Sequence, residues 1–147
     1  MHFVDLEPGD PRLESDALPV LLQLREHLTA DSFDAIYREG HPQGLRFTAV
    51  YDGDRCVAVA GWRLIATTFA DGRKLYVDDL VTSNTERSQG FGKELLAELA
   101  RRAEEAGARV FDLDSGVHRP DAHRFYFREG MQISGFHFHR TLSERDS

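Results

Sequence analysis

The stretch TERSQGFGKELL, residues 85–96, places two glycines, Gly90 and Gly92, between a predicted strand and a predicted helix. A loop in this position offers unpaired backbone N–H groups and the positive end of a helix dipole, which together bind phosphate. Arg87 and Lys93 add positive charge to the same loop. The alternative is a tight connection without a ligand, because so short a pattern often arises by chance.

Two common phosphate-binding patterns can be tested against these residues. The dinucleotide pattern G-x-G-x-x-G requires a third glycine at position 95, where the chain has Leu95. The P-loop requires a glycine at position 87, where the chain has Arg87. Neither pattern is met, so the loop must be interpreted from its wider surroundings.

The N-terminal half predicts two helices followed by three strands. LPVLLQLREHL, residues 18–28, carries leucines at helical spacing, and Asp31 can cap a second short helix that ends at Gly40. Residues 45–82 predict three antiparallel strands, joined by two turns that each contain Asp-Gly.

The C-terminal half predicts four further elements. They are a helix over 90–106 that Gly107 ends, a strand within 108–116, a helix over 120–130, and one or two strands over 131–142. The strand–helix–strand unit from Lys74 to Ser115 should bring two strands parallel. The predicted fold is therefore mixed α/β, with a mostly antiparallel central sheet, one parallel strand pair at the glycine loop, and flanking helices.

Composition limits the classes of function. A chain of 147 residues suits a single domain spanning 1–147. Its 18 Lys and Arg against 25 Asp and Glu give a net charge of −7, which argues against nucleic acid as a partner because phosphate neutralisation needs a basic face. The start lacks a basic and apolar leader, no apolar run is long enough for a membrane span, and the single cysteine, Cys56, excludes an internal disulfide. These features predict a cytoplasmic protein without a membrane partner.

The glycine loop does match the pattern R-x-x-G-x-G, as Arg87, Gly90 and Gly92. In this pattern the chain resembles the GCN5-related N-acetyltransferase (GNAT) family, whose signature is Q/R-x-x-G-x-G/A at the start of the central helix. YVDDLVT, residues 76–82, is similar to the strand before the family's loop, and AHRFYFREGM, residues 122–131, to its later helix. The resemblance is clear over residues 45 to 133 and weak over the first 30.

This resemblance implies acetyl-CoA as the acyl donor and implies which residues bind it. The main chain of one strand would pair with the pantetheine arm, entering through a gap between the fourth and fifth strands, and the glycine loop would surround the pyrophosphate. The implied cofactor-binding residues are Leu80, Val81, Thr82, Arg87, Ser88, Gln89, Gly90, Phe91, Gly92 and Lys93.

The resemblance also implies direct transfer of the acetyl group from the thioester to an amine, which raises two proton-transfer questions. Tyr126 stands where the family often carries a tyrosine that protonates the thiolate, although a packed helical aromatic is the alternative. Asp78, Asp79 and His118 are candidates for the base. Adjacent residues on a regular strand point to opposite faces, so only one of the two aspartates would enter the cleft unless the strand has a bulge. Each aspartate could equally be a structural carboxylate, and the base need not be a side chain.

The remaining histidines and aromatics have weaker functional interpretations. His137 and His139 share one face of FHFH, but no cysteine pair or H-E-x-x-H spacing accompanies them, so no metal site is predicted. The candidates for the acceptor pocket wall, with packing as the alternative for each, are Phe33, Tyr37, His41 and Trp62.

Together these features predict an N-acetyltransferase that moves an acetyl group from acetyl-CoA to a primary amine of a small or amino-acid-like molecule. The alternatives are a non-catalytic acyl-CoA-binding or regulatory domain and a protein-modifying acetyltransferase. A homodimer is a further expectation from the resemblance, although no residue compels one. Fold-level analogy cannot choose the acceptor.

Overall fold

Five strands form one sheet in the computed structural model, which describes residues 1–86 and 89–143. The strands are β1 (His2–Leu6), β2 (Leu45–Asp52), β3 (Arg55–Thr67), β4 (Gly72–Thr82) and β5 (Val110–Leu113). They lie in the order β1-β2-β3-β4-β5, with β1 to β4 antiparallel and β5 parallel to β4. The predicted mixed α/β fold with one parallel pair is confirmed.

Helices and helical turns lie between β1 and β2 and between β4 and β5, and one helix follows β5. The helical segments are a π-helical turn (Leu13–Ala17), α1 (Leu18–Leu21), α2 (Ala30–Gly40), 3-10 turns at His41–Gln43 and Asn84–Glu86, α3 (Phe91–Glu105) and α4 (Pro120–Arg128). The predicted helix over 18–28 is therefore wrong in its second half, since only one turn of α-helix forms and turns follow it, although Leu22, Leu24 and Leu28 still pack against the core.

Thr29, not Asp31, caps α2. The Thr29 hydroxyl accepts a hydrogen bond from the Ser32 N–H at 3.0 Å, and the Ser32 hydroxyl accepts one from the Thr29 N–H at 2.9 Å. This reciprocal pair satisfies two backbone donors at once, which a cap at Asp31 could not do from inside the helix. The predicted cap was two residues too late.

Alternating side chains of the sheet enter two separate hydrophobic cores. Phe47 and Val59 pack with α1 and α2 on one face, while Val50, Leu75 and Leu99 pack on the other face with α3. The α3 stripe was predicted correctly from its four-residue spacing. The fold thus places α3 on one side of the sheet and the short N-terminal helices on the other.

Two stretches differ from their prediction. Residues 2–6, for which no element was predicted, form β1 by pairing with β2 from His2↔Tyr51 to Leu6↔Phe47. Residues 131–142, predicted as strands, contain neither strand nor helix, and Ile133, Phe136 and Phe138 are exposed. Alternation favours a strand only where a neighbour completes its hydrogen-bond ladder, and none of the described residues pairs with this segment.

The chain divides into two compact units by internal contacts, residues 1–113 and the part from Asp114 onward. The first unit contains the whole sheet and α1 to α3, and the second contains α4. The expectation of a single domain over 1–147 stays a prediction.

Candidate functional site

The β4 strand has an open edge over its second half. Its parallel pairing with β5 runs from Lys74↔Val110 to Val77↔Leu113 and stops there, whereas its pairing with β3 continues to Ala58↔Thr82. Beyond Val77, the side of β4 that faces away from β3 therefore has no strand partner among the described residues. A gap of this kind leaves backbone donors and acceptors available to an extended ligand.

Alternation along β4 determines which backbone groups face that open edge. The Ser83 N–H donates to the Val57 carbonyl of β3 at 2.9 Å. Since successive residues of a strand direct their N–H and C=O groups to opposite sides, Val81 also points toward β3. The backbone groups of Leu80 and Thr82 consequently point to the open edge. Within the predicted trio, these two residues can pair with a ligand.

The glycine loop ends in a left-handed residue that starts α3. Gly90 has φ +85° and is the N-cap, without any capping side-chain hydrogen bond. The Glu94 N–H donates to the Gly90 carbonyl at 3.0 Å, so the preceding N–H groups, through Lys93, form the first turn that a helix cannot satisfy internally. A Cβ built on Gly90 meets nothing within 4 Å. Arg87 and Ser88 of the predicted loop lie outside the described residues.

A β-bulge brings the two predicted carboxylates together. The β3–β4 register pairs Gly61 with Asp79 but Trp62 with Val77, so Asp78 is an extra residue on β4. The bulge breaks the alternation that would have sent Asp78 and Asp79 to opposite faces. The sequence left this possibility open, and the structure resolves it in favour of a bulge.

Both aspartates are ion-paired to arginines that sequence reasoning did not select. Arg63 Nε donates to Asp78 at 3.0 and 3.3 Å to the two carboxylate oxygens. Arg25 Nε donates to Asp79 Oδ1 at 2.8 Å, and the Arg25 Nη2 group donates to the Asp78 carbonyl at 3.3 Å. These four residues are called the bulge cluster below. Partial burial raises the pKa of Asp78, while the Arg63 hydrogen bonds and charge oppose that rise.

The chain positions the two arginines by different means. Arg63 lies on β3 opposite Tyr76, on the same face as Val59 and Gly61 by strand alternation. Arg25 lies in the turn after α1, where its N–H donates to the Leu21 carbonyl at 2.8 Å. No local sequence signal identifies them, because their partners stand 15 and 54 residues away.

The second unit contains the predicted acid, Tyr126, on α4. Burial raises the pKa of Tyr126 above its ordinary value, so the phenol keeps its proton at neutral pH. Its ring lies edge to face with Phe125, with centroids 5.3 Å apart. Tyr126 is partly buried, whereas its neighbour Phe127 is exposed. A protonated hydroxyl of this kind can donate a proton to a thiolate.

The histidines of the second unit occupy loops and a helix. His118 is exposed in the turn that precedes α4, and His123 Nε2 lies 2.8 Å from the Gly116 carbonyl. His137 Nδ1 lies 3.5 Å from Asp114 Oδ2, with both side chains largely exposed. Within residues 1–86 and 89–143, no group of three His, Cys, Asp or Glu side chains is placed to hold a metal ion.

The four candidates for the acceptor wall are engaged in packing. Phe33 and Tyr37 are buried and meet the Phe47 ring edge to face. The Tyr37 hydroxyl donates to the Leu6 carbonyl at 2.5 Å, His41 Nε2 lies 3.1 Å from a Glu7 carboxylate oxygen, and the Trp62 indole donates to the Thr48 hydroxyl at 2.9 Å. All four therefore have packing or hydrogen-bond partners within the first unit, and a role in the acceptor wall stays a prediction.

The chain belongs to the acetyltransferase (GNAT) family, since the model of that family matches residues 12–131. This membership confirms the resemblance drawn from the glycine loop. The family transfers acyl groups from acyl-CoA, and the chain is an acyl-CoA-dependent N-acetyltransferase. No helix among the described residues is long and apolar enough to cross a membrane.

Two curated relatives are similar to this chain in sequence. The chain is 30% identical over 130 residues to an uncharacterized N-acetyltransferase, YhdJ, of Bacillus subtilis strain 168, covering 87% of this chain and 91% of that protein. It is 41% identical over 66 residues to the aminoalkylphosphonate N-acetyltransferase of Salmonella typhimurium, covering 45% of this chain and 43% of that protein.

The solved structure of an aminoglycoside N-acetyltransferase in complex with CoA has the same fold. The superposition of this chain on that structure has a TM-score of 0.79 at 14% sequence identity, and it covers 97% of this chain and 95% of that chain. The match supports the fold assignment and leaves the acceptor of this chain open.

Proposed function

We propose that the protein transfers an acetyl group directly from acetyl-CoA to a primary amine of a small or amino-acid-like molecule. The observation that carries this proposal is the juxtaposition, on one strand, of an unpaired backbone edge at Leu80 and Thr82 with two carboxylates at the bulge. The edge suits an acyl-pantetheine arm, and the carboxylates suit an ammonium group. The names of two family members, an aminoalkylphosphonate and an aminoglycoside N-acetyltransferase, support a small acceptor.

The donor would be held by main-chain groups. The pantetheine arm pairs with Leu80 and Thr82 along the open edge, and Val81 maintains the strand through its pairing with β3. The Leu80 N–H is oriented toward the gap, where it polarises the thioester carbonyl. A preorganised donor of this kind stabilises the developing oxyanion by about 3 kcal/mol.

The pyrophosphate would lie on the first turn of α3. The N–H groups of Gly90, Phe91, Gly92 and Lys93, together with Gln89, Arg87 and Ser88 before them, supply the donors and positive charge that two phosphates require. The left-handed Gly90 has open space around it, so the ligand can approach its backbone closely.

The acceptor amine must lose a proton before it attacks. Asp79 would bind the incoming ammonium group, and Asp78, whose pKa burial raises, would take the proton directly or through water. His118, exposed in the turn before α4, is the alternative base. The neutral nitrogen then forms a bond to the acetyl carbon while the carbon–sulfur bond breaks.

Tyr126 would complete the transfer by donating its phenolic proton to the departing CoA thiolate. The acetylated nitrogen releases its remaining extra proton to solvent, and solvent returns a proton to the phenolate, so the products are the neutral amide and CoA thiol. Because its pKa is raised, Tyr126 is protonated at the start of each turnover. General acid catalysis of this kind contributes about 100-fold to 10,000-fold in rate.

The test is thiol release from acetyl-CoA with small amines and with peptides as acceptors, for the wild type and Tyr126→Phe. We expect Tyr126→Phe to lower kcat about 100-fold while the Kd for acetyl-CoA stays within about twofold. Tyr51→Phe is the matched control, since it also removes one hydroxyl, here bonded to Asp16 at 2.6 Å, and should affect stability only.

Three results would contradict parts of this proposal. A Tyr126→Phe variant with full kcat would remove Tyr126 from the reaction. Acetylation of peptides with negligible turnover of free amines would assign a protein acceptor. Acetyl-CoA binding without transfer to either class would favour a non-catalytic domain. The cytoplasmic location and the homodimer stay predictions.

A further inference from the structure

The bulge cluster is incompletely paired, and the unpaired atoms carry both signs of charge. Arg63 uses only its Nε for Asp78, so its two terminal nitrogens make no hydrogen bond to any described residue. Asp79 accepts from Arg25 through Oδ1 only, which leaves Oδ2 without a donor among the described residues. The cluster therefore presents a guanidinium fork and a carboxylate oxygen at the same time.

Local packing holds the Arg63 guanidinium and the Asp79 carboxylate in place while leaving both accessible. The side chains of Arg63 and Asp79 are 28% and 16% exposed, so each is mostly enclosed while its free atoms remain unpaired. Gly61, the β3 partner of Asp79, has no side chain, and a Cβ there would lie 3.3 Å from Asp79 Oδ2. A Cβ there would also lie 2.8 Å from the Phe47 ring, so only a glycine at position 61 lets the free carboxylate oxygen and this ring approach β3 so closely. Preorganised groups of this kind bind with a small entropic cost.

The geometry points to a zwitterionic acceptor, whose ammonium group contacts Asp79 Oδ2 and whose carboxylate or phosphonate accepts two hydrogen bonds from the terminal nitrogens of Arg63. This inference rests on the proposed function and specifies its substrate class. Nothing in the sequence pattern assigns Arg63 or Arg25 to the acceptor.

Charge balance favours this class over a simple amine or a diamine. The cluster contains two arginines and two aspartates, so its formal charge is zero. A cation at Asp79 alone would leave the Arg63 fork unpaired and partly desolvated, which costs affinity, whereas an attached oxyanion satisfies it. Arginine forms bidentate pairs with carboxylates and phosphonate-like groups because its two terminal N–H directions match two acceptor oxygens.

Spacing along the strand limits the size of the acceptor. Arg63 lies two residues beyond Gly61 on β3, which corresponds to about 7 Å. This backbone spacing is consistent with an acceptor whose amine and oxyanion are separated by a short chain. Arg25 acts as a positioning residue, since its Nε fixes Asp79 Oδ1 and its Nη2 holds the Asp78 carbonyl.

The experiment compares kcat/KM, at saturating acetyl-CoA, for four acceptors of similar length: 2-aminoethylphosphonate, β-alanine, propylamine and 1,3-diaminopropane. We expect at least one of the two zwitterions to exceed propylamine by about 100-fold, the contribution of one bidentate charged pair. The relative values for the phosphonate and the carboxylate then identify which oxyanion is preferred.

Variants at Arg63 locate the preference. Arg63→Gln should reduce the zwitterion-to-propylamine ratio to below about fivefold, and Arg63→Lys should restore part of it, because lysine keeps the charge without the fork. Arg38→Gln is the matched control, since Arg38 also binds an aspartate, Asp34, through Nε at 2.9 Å, but on the outer surface of α2. Arg38→Gln should leave the ratio unchanged.

The outcomes separate this inference from the proposed function. Equal kcat/KM for the zwitterions and propylamine, a preference for the diamine, or an unchanged ratio in a folded Arg63→Gln protein would overturn the zwitterion assignment while leaving amine acetylation intact. No acetylation of any of the four amines, together with no binding of acetyl-CoA, would overturn the proposed function and this inference with it.

Discussion

The sheet carries two ionic clusters, and they differ in how completely their members satisfy one another. On the α3 face, Arg102 bonds Glu98 through Nε at 2.8 Å and Asp5 through Nη1 at 2.7 Å. Thr48 donates to Asp5 at 2.8 Å and accepts from Trp62 at 2.9 Å. These five residues are called the α3 network. Its members link β1, β2, β3 and α3 through bonds to one another.

The bulge cluster, by contrast, leaves the Arg63 fork and one Asp79 oxygen unpaired among the described residues. Arg102 uses two of its guanidinium nitrogens for two carboxylates and so links α3 to β1, whereas Arg63 uses one, and loss of the α3 network should therefore reduce stability without altering substrate selection. An open cluster can bind a partner of complementary charge, so its loss should alter substrate use. Two clusters of the same residue types are therefore expected to have different roles, one in stability and one in substrate use, because they leave different atoms unpaired.

Asp79→Asn should produce the largest effect. Asparagine keeps the shape and can still accept from Arg25, but it lacks the charge that binds the ammonium group. We expect kcat/KM for the amine to fall about 100-fold, with the Kd for acetyl-CoA within about twofold. Steady-state kinetics and calorimetric titration measure the two quantities. Asp34→Asn, which alters an exposed ion pair on α2, is the control and should retain full activity.

Arg102→Met should produce the next largest effect, on stability. The substitution leaves Asp5 and Glu98 without their shared cation and removes the guanidinium that lies over the Trp62 ring, 5.9 Å from its centroid. We expect the free energy of unfolding to fall by about 2 kcal/mol, because the Arg102 and Glu98 side chains are mostly enclosed. Urea denaturation measures this change. A loss of kcat/KM in the folded variant would contradict the assignment of the α3 network to stability and of the bulge cluster to substrate use.

The pH dependence of stability should show a smaller contribution from Glu98. Hydrogen bonds from Arg101 and Arg102 lower the pKa of Glu98 to about 2, from the ordinary value of 4.5. Since the folded pKa is depressed, the stabilisation is present above pH 4.5 and is lost as the pH falls toward 2. We expect about 1 kcal/mol after solvent screening, absent in Glu98→Gln. Equal acid sensitivity of the two proteins in denaturant titrations would contradict this.

The sequence predicted the elements that depend on local signals. The Asp-Gly turn between β2 and β3, the apolar stripe of α3 and the position of the glycine loop between a strand and a helix all follow from residue types within a few positions. Together with the R-x-x-G-x-G match they also indicated the family, which the family model then confirmed.

Features that depend on distant pairing were not predictable in the same way. The bulge at Asp78 arises from the β3–β4 register, and the partners of Asp79 and Asp78 come from the turn after α1 and from β3. β1 was missed because it forms through pairing with β2 some 40 residues away, as in Val4↔Ala49. Residues 131–142 show the converse, since their alternation predicted strands that no described neighbour completes.

Calorimetric titration of acetyl-CoA into the wild type, Gly90→Ala and Gly53→Ala tests the central claim most directly. Both glycines have positive φ, +85° and +62°, and both have open space where a Cβ would lie, so the two substitutions impose comparable backbone strain. The account predicts that wild type and Gly53→Ala bind acetyl-CoA and that Gly90→Ala binds at least about tenfold more weakly, because the proposal places the pyrophosphate against Gly90 and not against Gly53. Equal binding by all three proteins would contradict the placement of the cofactor on this loop, and no binding by the folded wild type would contradict the proposed function.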